Sequence, residues 1–259
     1  MNNTLPFQGK TALITGGGRG IGKTIALLLA ERGADVIINF VRNQAPAEEV
    51  AQKIRQMGRR AEIFRANIGK IEDIQRLFNF VEQQFAGLDI FISNAASGFN
   101  RPALQQKESG WDHTMNVNAR AFLFSTQRAV PLMQKRGGGS IVAISSPGSQ
   151  RVLPDYVAVG ASKAALEALT RYLAIELAPF NIVVNAVSPS LVETDALKHF
   201  ASLSDPQVIT RAIQNTSAGR LVQPEDVAKV VMFLCSPDAF MIRGQVIIID
   251  GGYTLITPG

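Results

Sequence analysis

Residues 11–34, "TALITGGGRGIGKTIALLLAERGA", decide the fold. A β-rich run, "TALIT", leads into a glycine-rich turn, and the turn leads into apolar residues at helical spacing that stop at Gly33. Strand, glycine turn and helix in that order make the phosphate-cradling opening of a βαβ unit. Gly16 permits the tight turn, while Gly20 and Gly22 let backbone approach a pyrophosphate and let helix pack on strand. The helix N-terminus adds unpaired N–H donors. The spacing Gly-x-x-x-Gly-x-Gly is wider than that of many dehydrogenases, and it is read as a dinucleotide loop in preference to an ATP loop.

Working outward, the same alternation fills the chain. "DVIINF", "AEIFRAN", "LDIFISNA", "GSIVAIS", "NIVVNAVS" and "GQVIIID" read as further strands. "PAEEVAQKIRQMG", "IEDIQRLFNFVEQQF", "KAALEALTRYLAIELAP" and "QPEDVAKVVMFLCS" read as helices between them, with Gly58 and Pro179 marking two of the ends. Near-continuous apolar strands suit a sheet buried on both faces. The expectation is one doubly wound α/β Rossmann-type domain over residues 1–259, a parallel seven-stranded sheet with helices on both faces. One connection, about 30 residues between "NIVVNAVS" and "QPEDV", is too long for a simple link. It follows the carboxyl end of a strand, so a substrate-binding insertion is expected at about 190–222, with Leu197, Phe200, Leu203 and Ile209 as candidates to cover an apolar substrate.

Composition excludes several classes. Of 259 residues 46% are hydrophobic and 18% charged, enough for a large core and unlike a disordered chain. The N-terminal residues do not read as a secretory leader, no apolar run of about 18 residues occurs, and the single cysteine, Cys235, rules out an internal disulfide; a soluble cytoplasmic protein is expected. The net charge of +5 is dispersed, so no nucleic-acid or membrane partner is indicated. His113 and His199 stand alone, without the companions that a metal site needs.

The end of the second strand, "IINFVRNQ", carries no carboxylate to bond the ribose hydroxyls of NAD. It supplies Arg42 and Asn43 instead, and Arg19 lies in the glycine loop, so a 2'-phosphate meets two guanidiniums and no repulsion. NADPH is the expected cofactor.

Taken in order, "TGGGRGIG", "SNAAS", "NVNA", "ISS", "SKAAL" and "NAVSPS" resemble the short-chain dehydrogenase/reductase family over essentially the whole chain. That resemblance implies a nicotinamide cofactor and commonly a homotetramer. It implies cofactor-binding positions at Gly16, Gly18, Arg19, Gly20 and Ile21 in the glycine loop, at Asn67 and Ile68, at Asn94 near the adenosine, and at Val192 and Thr194 after the nicotinamide. It further implies that Lys163 bonds the nicotinamide ribose, that Asn118 holds a water near this lysine, and that Ser146 lines the active site with Ser145 as a competing choice. Asn67 stands where an aspartate is common, and Ser97 where less bulk is usual.

The family's tyrosine usually stands four residues before the lysine, but here that position is Val159, and Tyr156 stands seven before. Turns of about 400 and 700 degrees bring both spacings back to nearly one helix face, so Tyr156 stays on the Lys163 side if the helix extends back that far. Pro154 suits a helix start just ahead of it. Tyr156, Lys163 and Ser146 are the expected catalytic residues. A proton donor one turn outward suits reduction of a 2-enoyl thioester, where hydride lands on the β-carbon and charge gathers on an oxygen two carbons away. Tyr-x6-Lys and the words "NAASG", "WDHTMNVNA", "AGR" and "MIRGQ" also resemble NADPH-dependent enoyl-acyl-carrier-protein reductases within the family. The expected substrate is then a trans-2-enoyl thioester, on acyl carrier protein or as another acyl thioester, in fatty-acid synthesis. A 3-oxoacyl or other carbonyl reductase, and an NADPH-binding sensor without turnover, are the alternatives.

Overall fold

A computed structural model describes residues 5–194 and 206–255. The elements in chain order are β1 (Thr11–Thr15), α1 (Gly20–Glu31), β2 (Asp35–Phe40), α2 (Ala45–Gln56), β3 (Ala61–Arg65), α3 (Ile71–Phe85) and β4 (Ile90–Ser93). Then follow α4 (Glu108–Met115), a π-helical turn at Asn116–Arg120, α5 (Ala121–Gln134), β5 (Gly139–Ile144), α6 (Val157–Glu176), β6 (Ile182–Pro189), α7 (Pro206–Gln214), α8 (Pro224–Leu234) and β7 (Val246–Ile249).

All seven strands run parallel in the order β3-β2-β1-β4-β5-β6-β7, as the sequence pattern requires. Alternation along each strand divides the core into two layers. Ala12, Ile14, Val36 and Ile38 face α1, α2 and α8, while Leu13, Ile37 and Phe91 face α3, α5 and α6. Burying each large aliphatic side chain contributes about 1.5–3 kcal/mol, so a strand with both faces covered is anchored from two sides.

Strand order reverses between β1 and β4, the switch point outside whose carboxyl ends α/β sheets bind ligands. Buried polar side chains tie these ends together. Thr15 Oγ1 accepts from the backbone N–H of Asn94 and of Ala95 at 3.0 Å, and Asn94 Nδ2 donates to the carbonyls of Thr15 and Gly16 at 2.9 and 3.2 Å. Asn39 Nδ2, at the end of β2, donates to Ala66 O at 2.9 Å beyond β3. Each such bond contributes about 1 kcal/mol net, and leaving its buried partner unpaired costs more.

Of the long connection after β6, Val192 bridges to Val222 and α7 supplies its helical part, with Ile209 half-buried on that helix. Leu197, Phe200, Leu203 and His199 lie outside the described residues. No helix among the described residues is long and apolar enough to cross a membrane.

Candidate active site

The glycine loop is four residues long, Gly16–Arg19, between β1 and α1. Gly16 has φ +66 and Gly20 φ +52, conformations that favour glycine. Gly22 is required by proximity instead: a Cβ there would stand 2.5 Å from Gly16 O and 2.6 Å from Asn94 Nδ2. At Gly18 a Cβ would come within 3.1 Å of Ala47 N, so the loop lies directly against the first turn of α2. No side chain caps the first turn of α1, which leaves its N–H groups available to an anion.

The letters of Gly17–Thr24 also satisfy G-x-x-x-x-G-K-T, so spacing alone does not set this loop apart from an ATP loop. The structure makes the distinction. Helix α1 starts at Gly20, Lys23 and Thr24 lie inside it, and the Thr24 hydroxyl donates to Gly20 O at 3.3 Å. A four-residue turn of this kind has no long loop to wrap around a triphosphate.

Around this loop the expected cofactor positions converge. Ile21 packs partly buried on the core, and the Thr194 methyl is 3.5 Å from where a Gly20 Cβ would be, so the segment after β6 reaches the glycine loop. Val192 is buried. Asn94 is turned onto the backbone of Gly16 and braces the loop. Asn67 Oδ1 accepts from Gly69 N at 3.0 Å, and its N–H donates to Asp73, whose carboxyl lies below the ordinary value chiefly because of that bond. Ile68 is buried. Arg19 and Arg42 are exposed, with no partner among the described residues, and Asn43 Oδ1 accepts from Ala45 N at 3.2 Å to turn the chain into α2. Through the contact of Gly18 with α2, Arg19 and the Arg42–Asn43 turn share one end of the sheet.

The second half of the site hangs on β5 and α6. Helix α6 begins at Val157, so Tyr156 is its N-cap residue rather than part of the helix. The helix-face argument therefore stops one residue short, and the ring is held by tertiary packing. A Cβ at Gly148 would stand 2.6 Å from the Tyr156 ring, and one at Gly160 would stand 2.6 Å from Gly148 O. These two glycines let the turn after β5 settle on α6 with the ring on top of it. Tyr156 Oη lies 3.5 Å from Ser146 Oγ, which also accepts from Gly148 N at 3.3 Å. Burial pushes the Tyr156 phenol up, opposed by the Ser146 bond, so it is protonated at neutral pH and can donate. Ser145 makes a different contact: its buried hydroxyl donates to Glu167 at 2.6 Å. Ser146 is thus the serine aimed at Tyr156.

Val159, at the family's usual tyrosine position, is buried against Gly98, where a Cβ would come within 2.2 Å of Val159 Cγ2. No hydroxyl stands there. Lys163 is buried, with Nζ donating to Ile144 O at 2.7 Å. Burial lowers its pKa to about 8, against the raising influence of Glu167. Asn118 lies on the π-helical turn, an irregularity that often marks a functional position. Its side chain accepts from Ser97 N at 2.8 Å and donates to Ser97 O and Ser162 Oγ at 2.9 Å, so Ser97 is built into the site's frame, with His113 Nε2 3.0 Å from its hydroxyl. Cys235 is buried and its thiol is pushed up to about 12, which leaves it unreactive near neutral pH.

Sequence reasoning overlooked Glu167. The available signal was its place four residues after Lys163, on one helix face, in a segment otherwise apolar on that side.

Comparison with known proteins agrees with this architecture. A family profile described as Enoyl-(Acyl carrier protein) reductase matches residues 16–254. A hydroxynaphthalene reductase-like protein, Arp2, of Metarhizium anisopliae is 38% identical over 95% of both chains. The 1-cyclohexenylcarbonyl-CoA reductase of Streptomyces collinus is 35% identical, covering 98% of this chain and 92% of the relative. Among solved structures, 7α-hydroxysteroid dehydrogenase complexed with NADH and 7-oxo glycochenodeoxycholic acid superposes with a TM-score of 0.91, at 34% identity and 97% coverage of both chains. The chain belongs to the short-chain dehydrogenase/reductase family of oxidoreductases.

Proposed function

We propose that the protein is an NADPH-dependent enoyl-thioester reductase, converting a trans-2-enoyl thioester, carried on acyl carrier protein or coenzyme A, to the saturated acyl thioester. The observation that carries this reading is the exchange of positions on α6: Val159 is a buried apolar contact, and the phenol comes from Tyr156 at the helix cap.

The residues at the glycine loop fit a dinucleotide. The uncapped N-terminus of α1 suits the pyrophosphate, and Arg19 and Arg42 suit a 2'-phosphate with no carboxylate nearby at the end of β2. Bound there, NADPH would supply the hydride. The protein's own task is to hold the acceptor and its charge. Addition at the β-carbon moves the π electrons toward the thioester oxygen, and the Tyr156 hydroxyl, kept protonated by burial, donates a hydrogen bond to the enolate that results. Lys163, cationic below about pH 8, supports that donor electrostatically and is suited to the cofactor ribose once it turns from Ile144 O. A proton from solvent at the α-carbon completes the balance.

The loops over this edge present Phe99, Leu104, Val152 and Leu153, and α6 adds Val157, all exposed; Arg101 N donates to Asp155 O at 2.7 Å to link the two loops. Such an apolar rim suits an acyl chain. The net charge of +5 suits an acidic carrier protein. Exposed Tyr172 and Ile175 on α6, and Ile248 on the edge strand β7, support assembly into a homotetramer.

A second reading, a carbonyl reductase, is favoured by the Ser146–Tyr156 pair, since two hydroxyls 3.5 Å apart can both address one carbonyl oxygen. The names of the hydroxysteroid dehydrogenase and hydroxynaphthalene reductase relatives point the same way. Following NADPH oxidation with crotonyl and acetoacetyl thioesters side by side separates the two. Turnover of the enoyl substrate is expected; turnover of the ketone alone establishes the second reading in its place.

A further inference from the structure

Glu167 is a buried carboxylate, 4% exposed, that neither reading above employs. It stands one turn after Lys163 on α6 and reaches into the turn that follows β5. Oε1 accepts from Ser145 Oγ at 2.6 Å and from Ser149 Oγ at 2.5 Å, and Oε2 accepts from Gln150 Nε2 at 3.2 Å. These three donors bracket Ser146 on both sides. Ser149 Oγ also lies 2.8 Å from Ser146 O, so its single proton is shared between that carbonyl and the carboxylate, and the peptide that carries Ser146 is drawn to the same place.

We infer that Glu167 is a positioning residue for the reductase site: its carboxylate ties the Ser145–Gln150 turn to the lysine-bearing helix, which fixes Ser146 against Tyr156. The inference rests on the reading of Tyr156, Ser146 and Lys163 as the working groups.

The carboxylate's burial is offset by its bonds to the Ser145 and Ser149 hydroxyls and the Gln150 amide. The Glu167 carboxylate, one turn along α6, raises the Lys163 pKa against the effect of burial. Other charges do not substitute for it. Strand β6 carries no ionisable side chain, and Asn118 on the π-helical turn is neutral. Arg120 on that turn is exposed and engaged with Asn116 Oδ1 at 2.9 Å. Asp112 and His113 of α4 are exposed, and the Arg151 guanidinium is turned to Thr254 O. On the turn itself Asp155 is exposed, and Tyr156 is neutral at the relevant pH.

The consequence has a definite sign. Burial lowers the Lys163 pKa to about 8 and Glu167 raises it, so removing the negative charge lowers it further and the ammonium is lost at lower pH. Glu167→Gln keeps an acceptor for Ser145 and Ser149 but removes the charge. The Lys163 titration, followed by 15N NMR of the full-length protein without substrate, is expected to move down by about one pH unit. The alkaline limb of kcat/KM is expected to move with it. Ser149→Ala keeps the charge and loosens the turn, so kcat should fall several-fold with the lysine midpoint unchanged. Glu176→Gln, at an exposed position of the same helix, should alter neither.

An unchanged lysine midpoint in Glu167→Gln overturns the consequence for Lys163, and full kcat in Ser149→Ala overturns the positioning role itself. If the lysine titration shifts while Tyr156→Phe retains full turnover, the fault lies with the assigned catalytic residues and not with Glu167, because the titration needs no turnover. Should Glu167→Gln fail to fold, the Ser149→Ala and Gln150→Ala pair still tests the tether by the same kcat reading.

Discussion

The two strand-to-helix connections that build the site, Gly16–Arg19 after β1 and Ser145–Tyr156 after β5, leave the same edge of one sheet but are held by different physics. The first is short and glycine-rich. Its shape follows from backbone: positive φ at Gly16 and Gly20, and an approach at Gly22 closer than any Cβ allows. The second is three times as long and is held by side chains distant in sequence, with Glu167 accepting from Ser145, Ser149 and Gln150 while Gly160 makes room for the turn. A loop of the first kind can be read from a short sequence window, and one of the second kind cannot.

That contrast predicts where the molecule breaks. Tyr156→Phe should produce the largest effect, a fall in kcat of about 10²–10⁴-fold with little change in cofactor affinity, measured by steady-state kinetics and fluorescence titration of NADPH. Unaltered turnover would mean that the second connection is a frame without a proton donor. Next comes the cofactor end: Arg19→Ala with Arg42→Ala should weaken NADPH binding about 10- to 100-fold and leave NADH binding nearly unchanged. Equal losses for both cofactors would show that these guanidiniums do not read a 2'-phosphate. Gly22→Ala should be milder, costing about 1–3 kcal/mol by urea unfolding, because the added methyl must push Gly16 O and the Asn94 amide aside. Wild-type stability in that variant would contradict the close packing of helix on loop.

Much of the fold was legible in the chain. Alternating strand and helix patterns gave seven parallel strands, and all seven are present; boundaries moved by a few residues at β3, β7 and α6, where the apolar run outlasts the ladder or the helix starts before the pattern is clear. Helices α4 and α5 and the π-helical turn at Asn118 were less visible, because polar and apolar residues are mixed in "WDHTMNVNA" and no single period dominates. The dinucleotide loop was legible through its glycines, although the letters G-x-x-x-x-G-K-T also fit Gly17–Thr24 and only the start of α1 at Gly20 separates the two.

Sequence alone determined the doubly wound class, the glycine loop, the lack of a carboxylate after β2 and the displaced tyrosine, because each is a matter of residue type at a short spacing. Tertiary structure decided what those residues face. It turned Ser146 toward Tyr156 and Ser145 toward Glu167, although the two serines are adjacent and identical in chemistry. It also closed the usual tyrosine position by packing Val159 on Gly98 and set a buried carboxylate against the turn that carries Ser146. Adjacent strand residues point to opposite faces, and the groups they meet come from segments tens of residues away, so such pairings exist only once the sheet and its helices have assembled.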